Sequence, residues 1–466
     1  MLRLDRADRK SLWEELGRIL ENYVTTVDDL PVSPDLSPEK IRALLAPCDF
    51  TSPMDAAEAL RLAADGLQRF QVHTPHPRYY GLFNPAPTTM GIAADAMVAG
   101  FNPQLAAWSH SPFAAEVELH VIRAMGSRFG YAQGDVDGVF ASGGMEANHT
   151  AILAALTNRF PDLAAHGLRS LDAQPVFYCS SESHHSFLKA ARMCGLGMDS
   201  VRHVAIDAQL KMRPEALQAA MTLDTENGLA PFLVVGTAGT TNTGVVDPLP
   251  ELAAVAELNN VWFHVDAAWG GGAAFVPELQ PLLKGIERAD SITFDAHKWL
   301  SVPMGAGVFL TRHHTILDRT FRTATAYMPK DAAGLDIVDP HLHSMQWSRR
   351  FIGLKVFLSL LAAGWDGYAD AIRHQTRMGV VLRAGLQMAG WEIANDSPLP
   401  VVCFAKPGAS AEDHLEIASN VVRSGKAWIS TTVLAGSWTV LRACITNYRT
   451  QESDVSALIR DLAEFL

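Results

Sequence analysis

A lysine placed just after a short apolar segment is the residue with the clearest chemical potential in this chain. The segment Ser291–Phe294 combines β-branched and aromatic residues, which is typical of a buried strand, and Lys298 follows it closely. Burial of an ammonium without a partner is strongly unfavourable. The cost disappears if the amine is joined to an aldehyde as a Schiff base, and pyridoxal phosphate is the common aldehyde of this kind. Lys298 therefore suggests a pyridoxal phosphate cofactor.

A carboxylate follows a second apolar run. Asp266 comes directly after Val261–Val265, where it could pair with the pyridine nitrogen, keep that nitrogen protonated and make the ring a better electron sink. Ala268 faces the same side, and its small side chain would let a flat ring lie close. A helix N-cap or a surface ion pair is the alternative role for Asp266.

A glycine pair precedes a predicted helix. Gly143 and Gly144 follow the apolar run Val139–Ala141, Met145 comes next, and we expect the helix to begin near Glu146. Free N–H groups and the positive end of a helix dipole suit a phosphate group. Alone, this signal is weak, because glycine pairs before helices are common.

Two more strand ends carry polar residues. Thr241, after the run Phe232–Val235, could bond the phenolate oxygen of the ring, although turn chemistry explains a threonine there equally well. His184 and His185 follow the run Val176–Cys179, and a histidine there could stack on the ring and take part in proton transfer. The alternative for both histidines is a solvated loop.

The same region offers a metal-site alternative. His264, Asp266, Asp295 and His297 form an HxD…DxH pattern. Lys298 lies in its midst, and a positive amine beside a metal ion is electrostatically unfavourable. The sequence therefore favours a site without a metal.

The bulk composition is that of a well-buried globular protein. Of 466 residues, 48% are hydrophobic, and 38 Lys and Arg against 50 Asp and Glu give a formal net charge of −12. This balance argues against nucleic acid or an anionic membrane as the main partner. Five cysteines without a CxxC pair favour free thiols and a reducing compartment. The charged segment Met1–Arg6 shows no signal peptide and no run approaches the ~20 apolar residues of a bilayer span, so we expect a cytoplasmic protein.

Strands and helices alternate through the middle of the chain. The predicted strands are Gly138–Ala141, Val176–Cys179, Phe232–Val235, Val261–Val265, Ile292–Phe294 and Gly307–Leu310. Helices separate most of them, which predicts a mostly parallel sheet covered on both faces. Ligands of such sheets bind at the carboxyl ends of the strands, where the polar residues described above lie.

The length predicts two or three domains. We expect a helical N-terminal arm over residues 1–85, a large domain over 86–355 and a small α+β domain over 356–466. The predicted helices are Arg9–Val27, Met54–Phe70, Pro112–Phe129, Ser348–Ala363, Tyr368–Met388 and one from Glu452, and the predicted strands of the small domain are Val401–Phe404 and Val440–Ile445.

Assembled, these motifs resemble the group II pyridoxal-phosphate-dependent amino-acid decarboxylases, which include aromatic-amino-acid and glutamate decarboxylases. The resemblance runs from about His76 to the C-terminus. Its motifs are His76–Tyr79, Phe83–Pro85, Ser142–Gly144, Gly239–Thr241, His264–Ala268, Asp295–Trp299 and Ser348–Arg350. It implies an α/β protein of fold type I, in which a large domain has a mostly parallel seven-stranded sheet covered by helices. A small α+β C-terminal domain and a helical N-terminal arm complete the expected fold.

The resemblance also implies roles for single residues. Lys298 matches the Schiff-base lysine, Asp266 the pyridinium partner and Ala268 the small residue under the ring. His184 matches the ring-stacking histidine, and His185 is the poorer match. The other implied contacts are Gly144, Met145 and His297 to the phosphate, the active-site threonine Thr241, and Arg442 to a substrate carboxylate.

The chain departs from the family pattern at two places. Met145 replaces a common serine, so one hydroxyl bond to the phosphate is missing. The family's mobile loop carries a tyrosine that protonates the carbanion, and counting back from Arg349 places Pro340 there. His341 and His343 could protonate instead, and Tyr327 lies further upstream.

The resemblance implies decarboxylation of an L-amino acid in a homodimer with its site at the interface. Family members that lack the tyrosine can give aldehydes, so an aldehyde synthase, another lyase or a transaminase is the alternative, and a non-catalytic cofactor-binding protein is a more remote one. Phe83, Trp108 and Trp347 favour an aromatic substrate, although packing explains each as well. Gln104 and Arg78 leave acidic substrates open.

Overall fold

The computed structural model describes residues 3–132, 134–323 and 337–465. Its α-helices are α1 Arg6–Thr26, α2 Pro38–Leu45, α3 Ala56–Arg69, α4 Thr89–Phe101, α5 Pro112–Arg128, α6 Gly144–Arg159, α7 Leu163–His166, α8 Ser186–Met193, α9 Pro214–Glu226, α10 Leu249–Leu258, α11 Ala296–Trp299, α12 Ile316–Phe321, α13 Gly353–Met388, α14 Ala411–Arg423 and α15 Glu452–Ala463. Its strands are β1 Asp137–Ala141, β2 Pro175–Ser180, β3 Val201–Val204, β4 Ala230–Thr237, β5 Trp262–Asp266, β6 Ser291–Asp295, β7 Gly307–Thr311, β8 Glu392–Ile393, β9 Val401–Ala405, β10 Ser430–Leu434 and β11 Trp438–Cys444.

Seven strands form the large sheet, in the order β1-β7-β6-β5-β4-β2-β3. β7 runs antiparallel to both neighbours, and the other adjacent pairs are parallel. The mostly parallel seven-stranded sheet is therefore confirmed. All six predicted strands of this sheet are present, and β3, at the sheet's edge, was not predicted.

Helices cover both faces of the large sheet, so its strands are buried on both sides. One core packs side chains such as Phe140, Val234 and Phe294 against α5, α9, α10 and α13. The other packs Phe177 and Val235 against α6 and α8. These buried faces explain why the strands read as continuous apolar runs in the sequence.

The small sheet has the order β10-β11-β9-β8 and is antiparallel throughout. Its core includes residues of α13, α14 and α15. α13 passes through residue 355, where we placed a domain boundary, and is broken only at Gly364, whose φ of 64° is left-handed. The predicted start at Ser348 is wrong, because this helix begins at Gly353. The predicted domain boundaries stay predictions.

The N-terminal region is helical, and α1 contacts α3. None of α1, α2 and α3 fully buries a residue against the described part of its own chain. Among the described residues, no helix is long and apolar enough to cross a membrane. The cytoplasmic location stays a prediction.

Candidate active site

The carboxyl ends of β4, β5 and β6 and the N-terminus of α6 surround one cavity. It is lined by Gly144, Met145, Asn148, His184, Thr237, Gly239, Thr241, Asp266, Ala268, Trp269, Asp295 and Lys298. The fold thus brings together seven of the predicted site residues, Gly144, Met145, His184, Thr241, Asp266, Ala268 and Lys298. They meet because parallel strands end at the same edge of the sheet.

Lys298 lies on the short helix α11, and its ammonium has a partner. Its Nζ is 3.0 Å from Oδ2 of Asp295, whose side chain is only 2% exposed, whereas Lys298 is 22% exposed. Asp295 Oδ1 is buried and has no hydrogen-bond partner among the described residues. The lysine is therefore held by an ion pair while its amine stays accessible from the cavity. No sequence motif indicated this partner.

Asp266 is buried at the end of β5. Its Oδ1 accepts a hydrogen bond from the Ala268 N–H at 3.1 Å, and its Oδ2 accepts one from the side-chain amide of Asn148 at 2.9 Å. Two hydrogen-bond donors contact this carboxylate, and no cation of the described residues lies within hydrogen-bond distance of it, so its charge is available to a ligand. This suits a protonated ring nitrogen.

The turn before α6 forms an anion cradle. The N–H groups of Gly144 and Met145 head this 16-residue helix and have no hydrogen-bond partner among the described residues. A Cβ on Gly144 would lie 2.8 Å from Oδ2 of Asp295 and 3.3 Å from Cβ of Ala268. Only glycine leaves this space open, so the residues fit a phosphate group.

Two histidines near the cavity are neutral near pH 7. Partial burial lowers the pKa of His184, which lines the cavity. Burial also lowers the pKa of His297, whose Nδ1 accepts from the Ala306 N–H at 3.1 Å. His297 Cε1 would lie 3.6 Å from a Cβ on Gly143, so His297 borders the anion cradle. Its contact to the phosphate stays a prediction.

An aromatic and cationic group adjoins Lys298, and its members Phe83 and Arg442 are not among the residues that line the cavity. The ring of Phe83 stacks on Trp269 with centroids 4.6 Å apart, and Lys298 Nζ lies 5.6 Å from the Phe83 centroid. The Arg442 guanidinium lies 5.1 Å from the same centroid. Arg442 donates to the carbonyls of Thr241 and Gly81 at 3.0 and 2.9 Å, and its buried Nη2 has no partner among the described residues.

Other predicted substrate residues lie elsewhere in the chain. Trp108 is not part of the cavity lining, and its indole N–H donates to Glu116 at 2.8 Å. Gln104 lines a separate surface groove and donates to Ser348. Arg78 is paired with Asp461, which ties it to α15.

Trp347 is 40% exposed, and its ring lies 5.1 Å from that of His341. It does not line the cavity that contains Lys298.

The residues around Pro340 form a separate buried group. Pro340 and His343 line a small cavity with Glu118, Asp137 and Arg349, and His343 Nε2 lies 3.3 Å from Asp137 Oδ2. His341 bonds the carbonyl of Ala106 at 3.0 Å. In the described part of the chain, neither histidine lines the cavity that contains Lys298. Their role as alternative proton donors stays a prediction. Tyr327 lies outside the described residues.

The metal alternative is not supported by this geometry. His264 bonds Ser291 and Asn148, and Asp295 faces Lys298. Across residues 3–132, 134–323 and 337–465, no group of three or more His, Cys, Asp or Glu side chains is placed to hold a metal ion. The five cysteines are free, as predicted.

Residues 38–406 match the profile of the pyridoxal-dependent decarboxylase conserved domain. The chain belongs to this family. The resemblance noted from the motifs is confirmed, and so are the pyridoxal phosphate cofactor and the class of enzyme, a pyridoxal-phosphate-dependent carboxy-lyase.

Similar chains carry several decarboxylase names. A tyrosine decarboxylase of Oryza sativa subsp. japonica is 32% identical over 417 residues, 86% of this chain and 77% of that protein. An aromatic-L-amino-acid decarboxylase of Bacillus atrophaeus is 29% identical over 99% of this chain and 97% of its own. An L-2,4-diaminobutyrate decarboxylase of Rhizobium meliloti (strain 1021) is 33% identical over 74% of this chain and 69% of its own. Amino-acid decarboxylation is thereby supported, and these names leave the substrate open.

Solved structures share the whole fold. The Oryza sativa TDC structure with PLP and tryptamine superposes with a TM-score of 0.93 at 25% identity, over 100% of this chain and 99% of that one. A Rhodiola rosea 4-hydroxyphenylacetaldehyde synthase superposes with a TM-score of 0.88 at 27% identity, over 99% and 98%. The fold type I architecture is therefore confirmed.

Proposed function

We propose that this enzyme removes the α-carboxylate of an L-amino acid as carbon dioxide and releases the amine, with aromatic substrates favoured over acidic ones. The observation that carries the aromatic preference is the stack of Phe83 on Trp269 beside Lys298. Arg78, which we had considered for acidic substrates, is committed to Asp461. The aromatic names of two relatives support the same choice.

In this proposal each site residue has one task. Lys298 would hold the aldehyde carbon of the cofactor, and Asp266 would hold a proton on its ring nitrogen. His184, whose pKa is lowered by burial, would stack on the ring, and Thr241 would bond its phenolate oxygen. The phosphate is held by the residues that border the anion cradle, Gly144, Met145 and His297, and Ala268 leaves room for the ring. Bound pyridoxal phosphate supplies the π-system that accepts the electron pair of the broken bond.

Arg442 is proposed to orient the substrate. Its guanidinium is 3% exposed and keeps Nη2 without a partner among the described residues. A substrate carboxylate would satisfy this donor with a charge-assisted hydrogen bond. Arg442→Lys should raise KM more than it lowers kcat, because lysine keeps the charge and loses the fixed donor geometry.

The test is a substrate panel on the enzyme loaded with pyridoxal phosphate. The panel includes tyrosine, tryptophan, DOPA, glutamate, aspartate, cysteine sulfinate and 2,4-diaminobutyrate, with carbon dioxide and amine measured together. We expect equal amounts of both products and the highest kcat/KM for an aromatic substrate. A higher kcat/KM for an acidic or diamino substrate would refute the aromatic preference.

An aldehyde synthase is the second candidate. The similarity to a 4-hydroxyphenylacetaldehyde synthase and the absence of His341 and His343 from the cavity lining of the described chain favour testing it. Carbon dioxide, aldehyde, ammonia and hydrogen peroxide in place of amine, with one dioxygen and one water consumed per turnover, would establish it. If the wild type gives amine and Tyr327→Phe gives aldehyde, Tyr327 is the proton donor.

We also propose that the enzyme is a homodimer with its site at the interface. Trp13 on α1 is 60% exposed, and Phe50, between α2 and α3, is 94% exposed. Phe101 and Phe113 are 81% and 69% exposed and line a groove of about 570 Å³. Apolar surface of this extent is typical of an interaction face, and a second copy of the chain would cover it. Trp108, which lies next to this groove, would then belong to the partner's substrate site.

Light scattering tests the dimer. The wild type should have twice the mass of the chain, and Phe101→Glu with Phe113→Glu should give monomers without activity. Mixing separately inactive Lys298→Ala and Trp108→Ala chains should restore part of the activity if each site uses both chains. A monomeric, active wild type would contradict the proposal.

A further inference from the structure

Asn148, on α6, joins Asp266 to a buried histidine. Its Nδ2 donates to Oδ2 of Asp266 at 2.9 Å and to Oγ of Ser186 at 3.1 Å, and its Oδ1 lies 3.1 Å from Nε2 of His264. His264 Nδ1 lies 2.8 Å from Oγ of Ser291. All five side chains are buried. The carboxylate is thus the end of a continuous hydrogen-bonded chain inside the protein.

The donors and acceptors of this chain follow one direction. A carboxylate only accepts, so the amide nitrogen of Asn148 must face Asp266 and its oxygen must face His264. That oxygen needs a hydrogen on Nε2 of His264. Burial lowers the pKa of His264 to about 4, so the ring is neutral with one hydrogen, and its Nδ1 accepts from the Ser291 hydroxyl. The Asp266 carboxylate therefore fixes the orientation of the Asn148 amide, and the amide in turn fixes the tautomer of His264.

We propose that Asn148 is a positioning residue that holds Asp266 as an oriented carboxylate for the ring nitrogen of the cofactor, and that His264 acts on Asp266 through Asn148. With Asn148 on Oδ2 and the Ala268 N–H on Oδ1, the carboxylate cannot rotate without losing a hydrogen bond. Each oxygen keeps one further lone pair for a ligand. This inference rests on the proposed role of Asp266.

Asn148→Leu tests whether Asn148 positions Asp266, because leucine has a similar volume and no hydrogen-bond donor. We expect the dissociation constant of pyridoxal phosphate to rise at least tenfold, as for loss of one hydrogen bond to a charged group. The cofactor band at about 420 nm should change its position or its pH dependence. In addition, kcat should fall while KM changes less than twofold. Thr150→Val is the matched control on the same helix, since the Thr150 hydroxyl donates only to the Glu146 carbonyl. It should leave affinity, spectrum and kcat unchanged.

Substitutions of His264 test whether this residue acts on Asp266 through Asn148. His264→Phe should cause part of the loss of cofactor affinity and kcat that Asn148→Leu causes. His264→Gln keeps an amide donor for Asn148 and should therefore retain most of the wild-type affinity and kcat. Combined with Asn148→Leu, His264→Phe should cause no further loss, because the connection is already broken. The melting temperatures of the unloaded variants show whether each is folded before cofactor is added.

Two outcomes would overturn the inference. A folded Asn148→Leu protein with wild-type affinity and spectrum would show that Asp266 needs no positioning. Independent, additive effects of the two substitutions would show that His264 does not act through Asn148. Asp266→Asn separates this from the role of Asp266 itself: if that variant also kept the wild-type spectrum, the assignment of Asp266 would fail, not only the inference about Asn148.

Discussion

Replacing Gly144 by alanine tests the anion cradle with a single methyl group. The Cβ would lie 2.8 Å from Oδ2 of Asp295 and 3.3 Å from Cβ of Ala268. Gly144 is the first residue of α6, and no positive φ applies to it, so the backbone tolerates alanine and the effect is steric. Overpacking of this kind costs about 1–3 kcal/mol. Because Asp295 and Ala268 line the cavity, we expect their displacement to take a similar free energy from cofactor binding, which corresponds to a roughly 5- to 150-fold weaker binding of pyridoxal phosphate.

The neighbouring glycine provides the control. Gly143 has an extended φ of 170°, and a Cβ there would meet only Cε1 of His297 at 3.6 Å, an ordinary contact. Gly143→Ala should therefore bind the cofactor within about threefold of the wild type, a difference below 1 kcal/mol. The two variants add the same methyl group at adjacent positions of one helix N-terminus, so they differ only in where that group lies.

The assay is a titration of the unloaded protein with pyridoxal phosphate at constant pH, in which the quenching of tryptophan fluorescence reports binding. Pyridoxal without its phosphate is titrated in parallel. Gly144→Ala should weaken the binding of pyridoxal phosphate much more than that of pyridoxal, because the added methyl group disturbs the helix N-terminus that forms the anion cradle. Equal binding by wild type and Gly144→Ala, or an equal loss in Gly143→Ala, would refute the placement of the phosphate.

Three further predictions use the same variants and standard assays. Because the pKa of His264 is lowered from 6.5 to about 4, unfolding takes up a proton below about pH 6.5, and the free energy of unfolding should fall as the pH drops toward 4. In urea titrations, the pH-dependent decrease in the free energy of unfolding should be about 3 kcal/mol smaller for His264→Gln than for the wild type. The same pH dependence in both proteins would contradict this. Lys298→Ala should abolish the cofactor band at about 420 nm, and an intact band would show that Lys298 is not the Schiff-base lysine. Phe83→Ala should lower kcat/KM for aromatic substrates at least tenfold and for smaller ones less, as measured by amine release, whereas equal losses would contradict an aromatic wall.

The sequence was informative wherever a polar residue follows an apolar run. Asp266, Thr241 and Lys298 could be found because parallel strands that are buried on both faces give continuous apolar signals and end at one edge. β3 was missed because only the first and last of its four residues, Val201 and Val204, are buried, so its apolar signal is short.

Residues that act through tertiary contacts could not be found in this way. Asn148 lies within the N-terminal part of α6, and only the packing of α6 against β5 brings it to Asp266. Asp295 was read only as a candidate metal ligand, and its pairing with Lys298 depends on the turn between β6 and α11. Arg78 and Trp108 were assigned from residue type alone, which does not tell which element or which copy of the chain they contact.

The central claim is that Lys298 carries the cofactor opposite Asp266. Borohydride reduction of the loaded enzyme fixes pyridoxal phosphate to the amine that holds it, and mass spectrometry of a peptide digest then locates the added mass. We expect one modification per chain, on Lys298, and none on the solvent-exposed lysines. A modification on another lysine, or a loaded enzyme that acquires none, would contradict the account.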